Sequence, residues 1–302
     1  MICFTMTIET LGLRADNAFV TITAYLHHDS KELGSGKKRP ALVVCPGGGY
    51  LMTSDREAEP VALRFAAHGY QCFVVRYSTA SIGDARWPKP LVDLAAAVRL
   101  VRQNADRWLV DPARVSICGF SAGGNLVSQL GTRWSEPLLS AELGPDAEAW
   151  RPNGVIAGYP VADYHVMKEE ASLDPEAEVK HPVSGTSKAD LWRDSNLTVL
   201  GTENPDAAQL DQMSPNAGTF LRTPPFFLWH TAADSLVYVR NLYPLATALA
   251  RHHVPHEVHV FQEGRHGLSL ADSTTAGEPG DLNPAAALWV QLALTWLAVN
   301  GL

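Results

Sequence analysis

The stretch Val115-Ser116-Ile117-Cys118-Gly119-Phe120-Ser121-Ala122-Gly123-Gly124-Asn125-Leu126 decides the fold. Its first four residues form an apolar run that reads as a buried strand, and an apolar helical period starts just beyond Ser121. Between them stands G-x-S-x-G, the pattern of a sharp strand-to-helix turn that presents a serine. Such a turn forces strained angles on the serine, and glycine on either side removes Cβ atoms that would collide there. A glycine-rich βα turn without chemistry would carry the same two glycines. The strand before it and the helix after it favour a nucleophile, with Ser121 Oγ exposed at the helix N-terminus.

Outward from this turn, short β-branched runs alternate with longer helical periods. Strands are expected over 40–45, 71–77, 114–119, 154–159, 225–230 and 257–262, and helices over 60–68, 91–104, 122–132, 240–252 and 283–299. That alternation predicts a doubly wound, mostly parallel α/β sheet with helices on both faces. Residues 19–26 alternate apolar and small positions and are expected to pair antiparallel with 5–11 along one edge. One domain over 1–302 accommodates all of this. Residues 161–223 break the rhythm with the charge run Lys168-Glu169-Glu170, scattered prolines and no strong periodicity. A surface excursion would look like this, but long loops in compact domains tend to be functional, so an insertion capping the sheet's carboxyl edge is expected.

A serine of ordinary acidity needs a base, and the base needs an orienting acid. Asp234 lies just beyond the strand expected at 225–230, and His266 just beyond the one at 257–262. Both therefore reach the carboxyl edge where Ser121 stands, in the chain order Ser, Asp, His. Gly264 and Gly267 allow the His266 loop to bend over the serine, and Glu263 is a substitute acid less well placed than Asp234. Upstream, Pro46-Gly47-Gly48-Gly49-Tyr50 follows another strand. Its glycines can turn backbone N–H groups toward an anion, so Gly48 or Gly49, with Ala122 after the nucleophile, are the expected oxyanion donors. A phosphate loop would need the Lys-Ser/Thr of a P-loop or G-x-G-x-x-G spacing, and this run has neither.

The remaining composition mostly excludes. A net charge of −8 leaves no basic stripe for a nucleic acid and opposes anionic membranes. The start lacks a basic n-region and a long apolar run, so it reads as neither signal peptide nor membrane span, and a cytoplasmic protein is expected. Cys3, Cys45, Cys72 and Cys118 show no C-x-x-C spacing and read as small buried hydrophobes. Of the 11 histidines, His256 and His259 fall on opposite faces of a strand, which disfavours a shared metal. His165 and His181 lie in the insertion, where a bland surface role is the leading reading and contact with substrate the lesser one. No cofactor or metal is expected, the expected partner is a small molecule, and a homo-oligomer stays open.

CPGGGY at 45–50, the segment 57–69 before FVVRYS, Pro88-x-Pro90-x-x-Asp93, GFSAGGNL at 119–126, GYPV at 158–161, PPFFLWHTAAD at 224–234 and GRHGLSL at 264–270 run in this order through most of the chain from about residue 40. Together they resemble the acetyl-esterase and feruloyl-esterase-like branch of the α/β hydrolases, also called xylan esterase-like or carbohydrate esterase-like. The resemblance implies an α/β-hydrolase fold and a serine esterase acting on short, acetyl-like esters, among them esters of sugars. It implies Ser121, Asp234 and His266 as the catalytic triad and the Gly48, Gly49 and Ala122 amides as the oxyanion hole. Pro46 stands where lipase-like relatives have the His of H-G-G-G, Ala233 replaces the first Asp of a frequent Asp-Asp pair, and Tyr238 replaces a usual Pro. In this reading Tyr50, with the insertion, shapes the pocket for the alcohol. The same triad could also run an amide or peptide hydrolase of the arylformamidase or prolyl-peptidase kind. A catalytically silent binding protein of the same fold is the rival from outside catalysis.

Overall fold

Strand Arg39–Cys45 (β3) sends Ala41, Val43 and Cys45 into one buried cluster and Leu42 and Val44 into another. This period of two, with both faces apolar, marks a strand covered on both sides. The computed structural model describes residues 6–182 and 184–302. Within it β1 (Thr7–Gly12), β2 (Thr21–Leu26), β3, β4 (Gln71–Arg76), β5 (Val110–Phe120), β6 (Gly154–Gly158), β7 (Phe226–Thr231) and β8 (His256–Phe261) form a sheet in the order β1-β2-β4-β3-β5-β6-β7-β8. Strands β3 to β8 run parallel, and β1 and β2 join antiparallel at the edge next to β4. The α/β-hydrolase fold expected from the sequence is the observed one.

Helices α2 (Lys89–Gln103), α3 (Ala122–Arg133) and α8 (Leu242–Arg251) fill one face through Leu94, Leu126 and Leu245. Helices α1 (Glu59–Ala66) and α9 (Trp289–Val299) fill the other through Phe65 and Trp296. Fully buried Trp289 stacks on Trp229 of β7 at 5.3 Å and meets Phe120 of β5 edge-on at 5.7 Å. Removing a ring packed in this way costs about 3–5 kcal/mol. Cys45, Cys72 and Cys118 are free and buried, as their apolar runs imply, whereas Cys3 lies outside the described residues.

Four expectations need adjustment. The last helix begins at Trp289 rather than 283, because Asn283 Oδ1 accepts the Ala286 N–H at 2.9 Å and closes a tight turn first. Strand β5 starts early, at Val110, where the ladder with β3 slips between Arg39 and Ala41. Helix α4 (Pro137–Leu143) is additional. Finally, the segment 161–223 is not loop-like: it holds α5 (Tyr164–Leu173), α6 (Lys188–Leu200) and α7 (Ala207–Met213). Reciprocal capping boxes, Ser187 with Asp190 and Asp206 with Gln209, start the last two of these helices by satisfying their free N–H groups.

Candidate active site

Ser121 sits between β5 and α3 with φ 51 and ψ −120, a conformation costly for any residue with a Cβ. The turn is this tight because the chain crosses itself. A Cβ on Gly119 would lie 2.3 Å from the Gly123 carbonyl oxygen, and one on Gly123 would lie 2.1 Å from that of Cys45. Glycine is therefore required at both flanks by close approach, not by φ.

The loop after β7 brings Asp234 to the same edge. Its Oδ1 accepts the N–H groups of Leu236 and Val237, each at 2.9 Å, so the carboxylate is held by its own loop. The loop after β8 carries His266 between Gly264 at φ 135 and Gly267 at φ 81. Asp234 Oδ2 lies 2.7 Å from His266 Nδ1, and His266 Nε2 lies 2.8 Å from Ser121 Oγ. With Nδ1–H donating to the carboxylate, Nε2 keeps its lone pair for the serine hydroxyl. Glu263 points elsewhere, its Oε1 accepting the Gln262 amide at 3.1 Å.

Burial alone would push the Asp234 carboxyl up, yet His266 and the backbone amides outweigh it and hold the group below its ordinary value. Burial would likewise push His266 down, but Asp234 beside it, followed by Glu57, raises it above the usual histidine range. A raised imidazole is a stronger base, which suits it to take a proton from Ser121 Oγ.

Ser121, His266, Gly48, Gly49 and Ala122 line one cavity of about 430 Å³. The Gly47 N–H is already donated to Glu57 Oε2 at 2.7 Å, so it cannot serve an external anion. The amides of Gly48 and Gly49 donate to nothing among the described residues, and Ala122, at the first turn of α3, has no intrahelical acceptor for its N–H. The cavity's outer wall comes from the insertion, with Tyr164 and Met167 of α5 and Leu191 and Trp192 of α6. Arg56, Lys188 and Tyr238, with Ser54, Glu57 and Ser195, supply polar groups to the lining.

Tyr50 corrects the sequence reading. Its side chain is wholly buried, is absent from the cavity wall, and donates its hydroxyl to Asn125 Oδ1 at 2.7 Å. The left-handed φ of 61 that follows Gly49 turns the ring into the core, edge-on to Tyr77. His165 is drawn to Asp211 at 2.7 Å, and neither it nor His181 lines the cavity. No group of three His, Cys, Asp or Glu among the described residues is placed to hold a metal ion.

Three residues escaped sequence reasoning. Glu57, buried in a turn before α1, accepts from the Gly47 N–H and from the Tyr159 hydroxyl. Arg56 donates to the Gly267 carbonyl and pairs with Asp281 at 2.8 Å, clamping the His266 loop. His230, inside β7, has its Nε2 without a partner among the described residues, and burial pushes its pKa down to about 4. Only the charged stretch Arg56-Glu57-Ala58-Glu59 leading into a helix hinted at any of them, and it reads equally as a helix start.

This fold and this edge define an α/β hydrolase. The BD-FAE family pattern matches residues 31–249, and the chain belongs to that family. Among curated proteins it is similar to endo-1,4-beta-xylanase B of Butyrivibrio fibrisolvens, 33% identical over 82% of this chain. The chain spans only 34% of that relative's length. Solved structures are similar over nearly their whole length, two of them as follows. One is MGS-M1, an alpha/beta hydrolase from a Medee basin deep-sea metagenome library, with a TM-score of 0.72 and 30% identity over 99% of this chain and 100% of that one. The other is the acetyl ester-xyloside bifunctional hydrolase of Caldicellulosiruptor lactoaceticus, with a TM-score of 0.74 and 29% identity over 97% of this chain and 96% of that one. Among the described residues no helix is long and apolar enough to cross a membrane.

Proposed function

We propose that the chain hydrolyses short-acyl esters through a covalent acyl-Ser121 intermediate. It is a carboxylic ester hydrolase. His266 Nε2 takes the proton of Ser121 Oγ as the oxygen attacks the ester carbonyl, and Asp234 holds the imidazole in the competent tautomer and stabilises the imidazolium that forms. The amides of Gly48, Gly49 and Ala122 receive the oxyanion. His266 then returns its proton to the leaving alcohol, and a water activated by the same imidazole releases the acid. The observation that carries this reading is the unbroken line of contacts Ser121 Oγ to His266 to Asp234 at 2.8 and 2.7 Å.

Segment 161–223 acts as a cap that shapes the alcohol side, since its helices supply the wall facing the serine. Similarity to an acetyl ester-xyloside hydrolase supports a small acyl group on a sugar-like alcohol, and Lys188, which uses one ammonium proton on Asp174, and the Tyr238 oxygen, which donates its proton to the same carboxylate, offer hydrogen bonds to hydroxyls there. A fluorophosphonate tests the mechanism directly. Stoichiometric labelling mapped to Ser121, with loss of activity on p-nitrophenyl acetate, is expected. Label on another residue, or activity that persists after full labelling, would overturn it.

A further inference from the structure

We infer that Glu57 is a second buried anion of the active site, a positioning residue that ties the oxyanion loop to the base loop and stabilises the imidazolium of His266. This rests on the Ser121–His266 reading and adds a group that the triad does not contain.

Burial pushes the Glu57 carboxyl above its ordinary range, while the hydrogen bonds from Tyr159 and Gly47 act against that push, and counting donors favours the ionised form. Its side chain is buried. Oε2 accepts the Gly47 N–H at 2.7 Å, and a backbone N–H can only donate. Oε1 lies 2.7 Å from the Tyr159 hydroxyl, which itself accepts the Ser269 N–H at 2.8 Å. Tyr159 has one proton and, among the described residues, one acceptor that receives it, Glu57 Oε1. If Glu57 were protonated on Oε1, it would donate to Tyr159 and leave the phenolic proton buried without an acceptor, a cost of about 1–3 kcal/mol. Every donor is satisfied only when Glu57 is ionised and Tyr159 neutral.

The same carboxylate connects three separate segments. Gly47 precedes the two glycines that line the cavity, Tyr159 follows β6, and Ser269 closes the loop that carries His266. Ser269 is fastened a second time, its Oγ donating to the Arg56 carbonyl at 2.7 Å. The Tyr159 ring also meets the His266 imidazole edge-on at 5.1 Å. A shift of Glu57 would therefore move the oxyanion donors and the base together.

The charged and titratable groups that act on His266 are Asp234 from the β7 loop, Glu57 and Arg56 from the turn before α1, and His230 from β7 itself. Arg56 opposes the imidazolium but is paired with Asp281, and His230 is held neutral. Glu57 is thus the remaining anion that favours a positive His266, and its field passes through buried space where screening is weak.

The test compares pH–rate profiles of wild type, Glu57→Gln and Tyr159→Phe on p-nitrophenyl acetate, with folding checked by near-UV circular dichroism. Glu57→Gln keeps the shape but loses the charge and offers an N–H where an acceptor is needed. It should lower kcat by about 10- to 100-fold, the cost of misplacing reacting groups by up to an ångström, with KM little changed. Its acid limb should move to lower pH, because an imidazolium that has lost an anion gives up its proton more readily. Tyr159→Phe keeps the charge but cuts the tether, and should lower kcat without moving the acid limb downward. A folded Glu57→Gln with wild-type kcat and an unmoved acid limb overturns the inference. Should Glu57→Gln not fold, wild-type kcat in Tyr159→Phe does so. Fluorophosphonate labelling of the wild type separates the two readings: label away from Ser121 breaks the mechanism itself, whereas label on Ser121 with an unaffected Glu57→Gln breaks only the role given to Glu57.

Discussion

At the sheet edge, Ser121 comes one residue after β5, Asp234 three after β7 and His266 five after β8, so parallel strands deliver all three with little loop between. In segment 161–223, two of the three helices, α5 and α6, reach the same cavity through longer connections. The segment's helices are anchored in the core through Tyr164, Met167, Val199, Leu210 and Met213, and tied to one another by partly exposed ion pairs such as Lys188–Asp174 and Arg193–Glu178. Exposed pairs contribute about 0–1 kcal/mol each, far less than the buried packing that fixes the strands. The proposed reacting groups thus stand directly on strand ends, and the proposed substrate wall stands on a segment that adds exposed ties to its buried anchors.

The sharpest way to break this contrast is Ser121→Ala. It should reduce kcat by about 10⁴-fold or more, leaving the contribution of the oxyanion amides and of binding, while thermal unfolding stays cooperative. Activity near wild type would remove the sheet edge from the chemistry altogether.

A second expectation concerns pH. His266 must be neutral to act, and its neighbours hold it above the ordinary value, so kcat/KM should rise with pH through a midpoint above about 6.5. The buried His230, held down at about 4, is neutral throughout this range. Replacing Asp234 by Asn removes the anion beside His266, so the acid limb of the residual activity should fall to lower pH. An unmoved limb in that variant would assign the titration to another group.

The third expectation addresses the insertion. Each methylene fitting an apolar pocket contributes about 0.8 kcal/mol, so a cavity that held the acyl chain would make kcat/KM climb with chain length. With the cavity assigned to the alcohol, p-nitrophenyl esters should be cleaved best from acetyl to butyryl and much less well at octanoyl. Trp192→Ala should change kcat/KM between alcohols by roughly 10-fold while leaving the hydrolysis of a shared acyl-enzyme, from which the alcohol has gone, unaltered. A rate that climbs to octanoyl would assign the 430 Å³ cavity to the acyl group.

What the sequence made legible follows the same division. The meeting of Ser121, Asp234 and His266 could be read because each follows an apolar strand, and Ser121 and His266 also stand between glycines, so local signals and position agree. Tyr50 was misread because an aromatic after three glycines looks exposed, and only the observed φ of 61 and the Asn125 carbonyl oxygen below it show the ring turned inward. Helix α6 was passed over because it buries little beyond Ser195, Asn196 and Val199, which leaves no apolar stripe, although its capping box was present at Ser187 and Asp190. Glu57 was illegible for another reason. Its burial depends on Gly47, Tyr159 and Ser269 meeting, and no local pattern records a meeting of segments up to 222 residues apart in the chain, from 47 to 269.

The backbone of Ser121 makes activity and heat resistance compete at a single position. At φ 51 and ψ −120 a side chain is tolerated only because the surrounding fold holds it there. Ser121→Ala and Ser121→Gly both lose the nucleophile and its contact with His266, so they differ mainly in the strain that a Cβ brings. The glycine variant should therefore unfold at the higher temperature of the two, by an amount matching about 1 kcal/mol after its greater freedom when unfolded is offset. Equal melting temperatures would mean that the turn is relaxed. A higher one for glycine would measure how much stability the protein forgoes in order to keep a reactive oxygen in view.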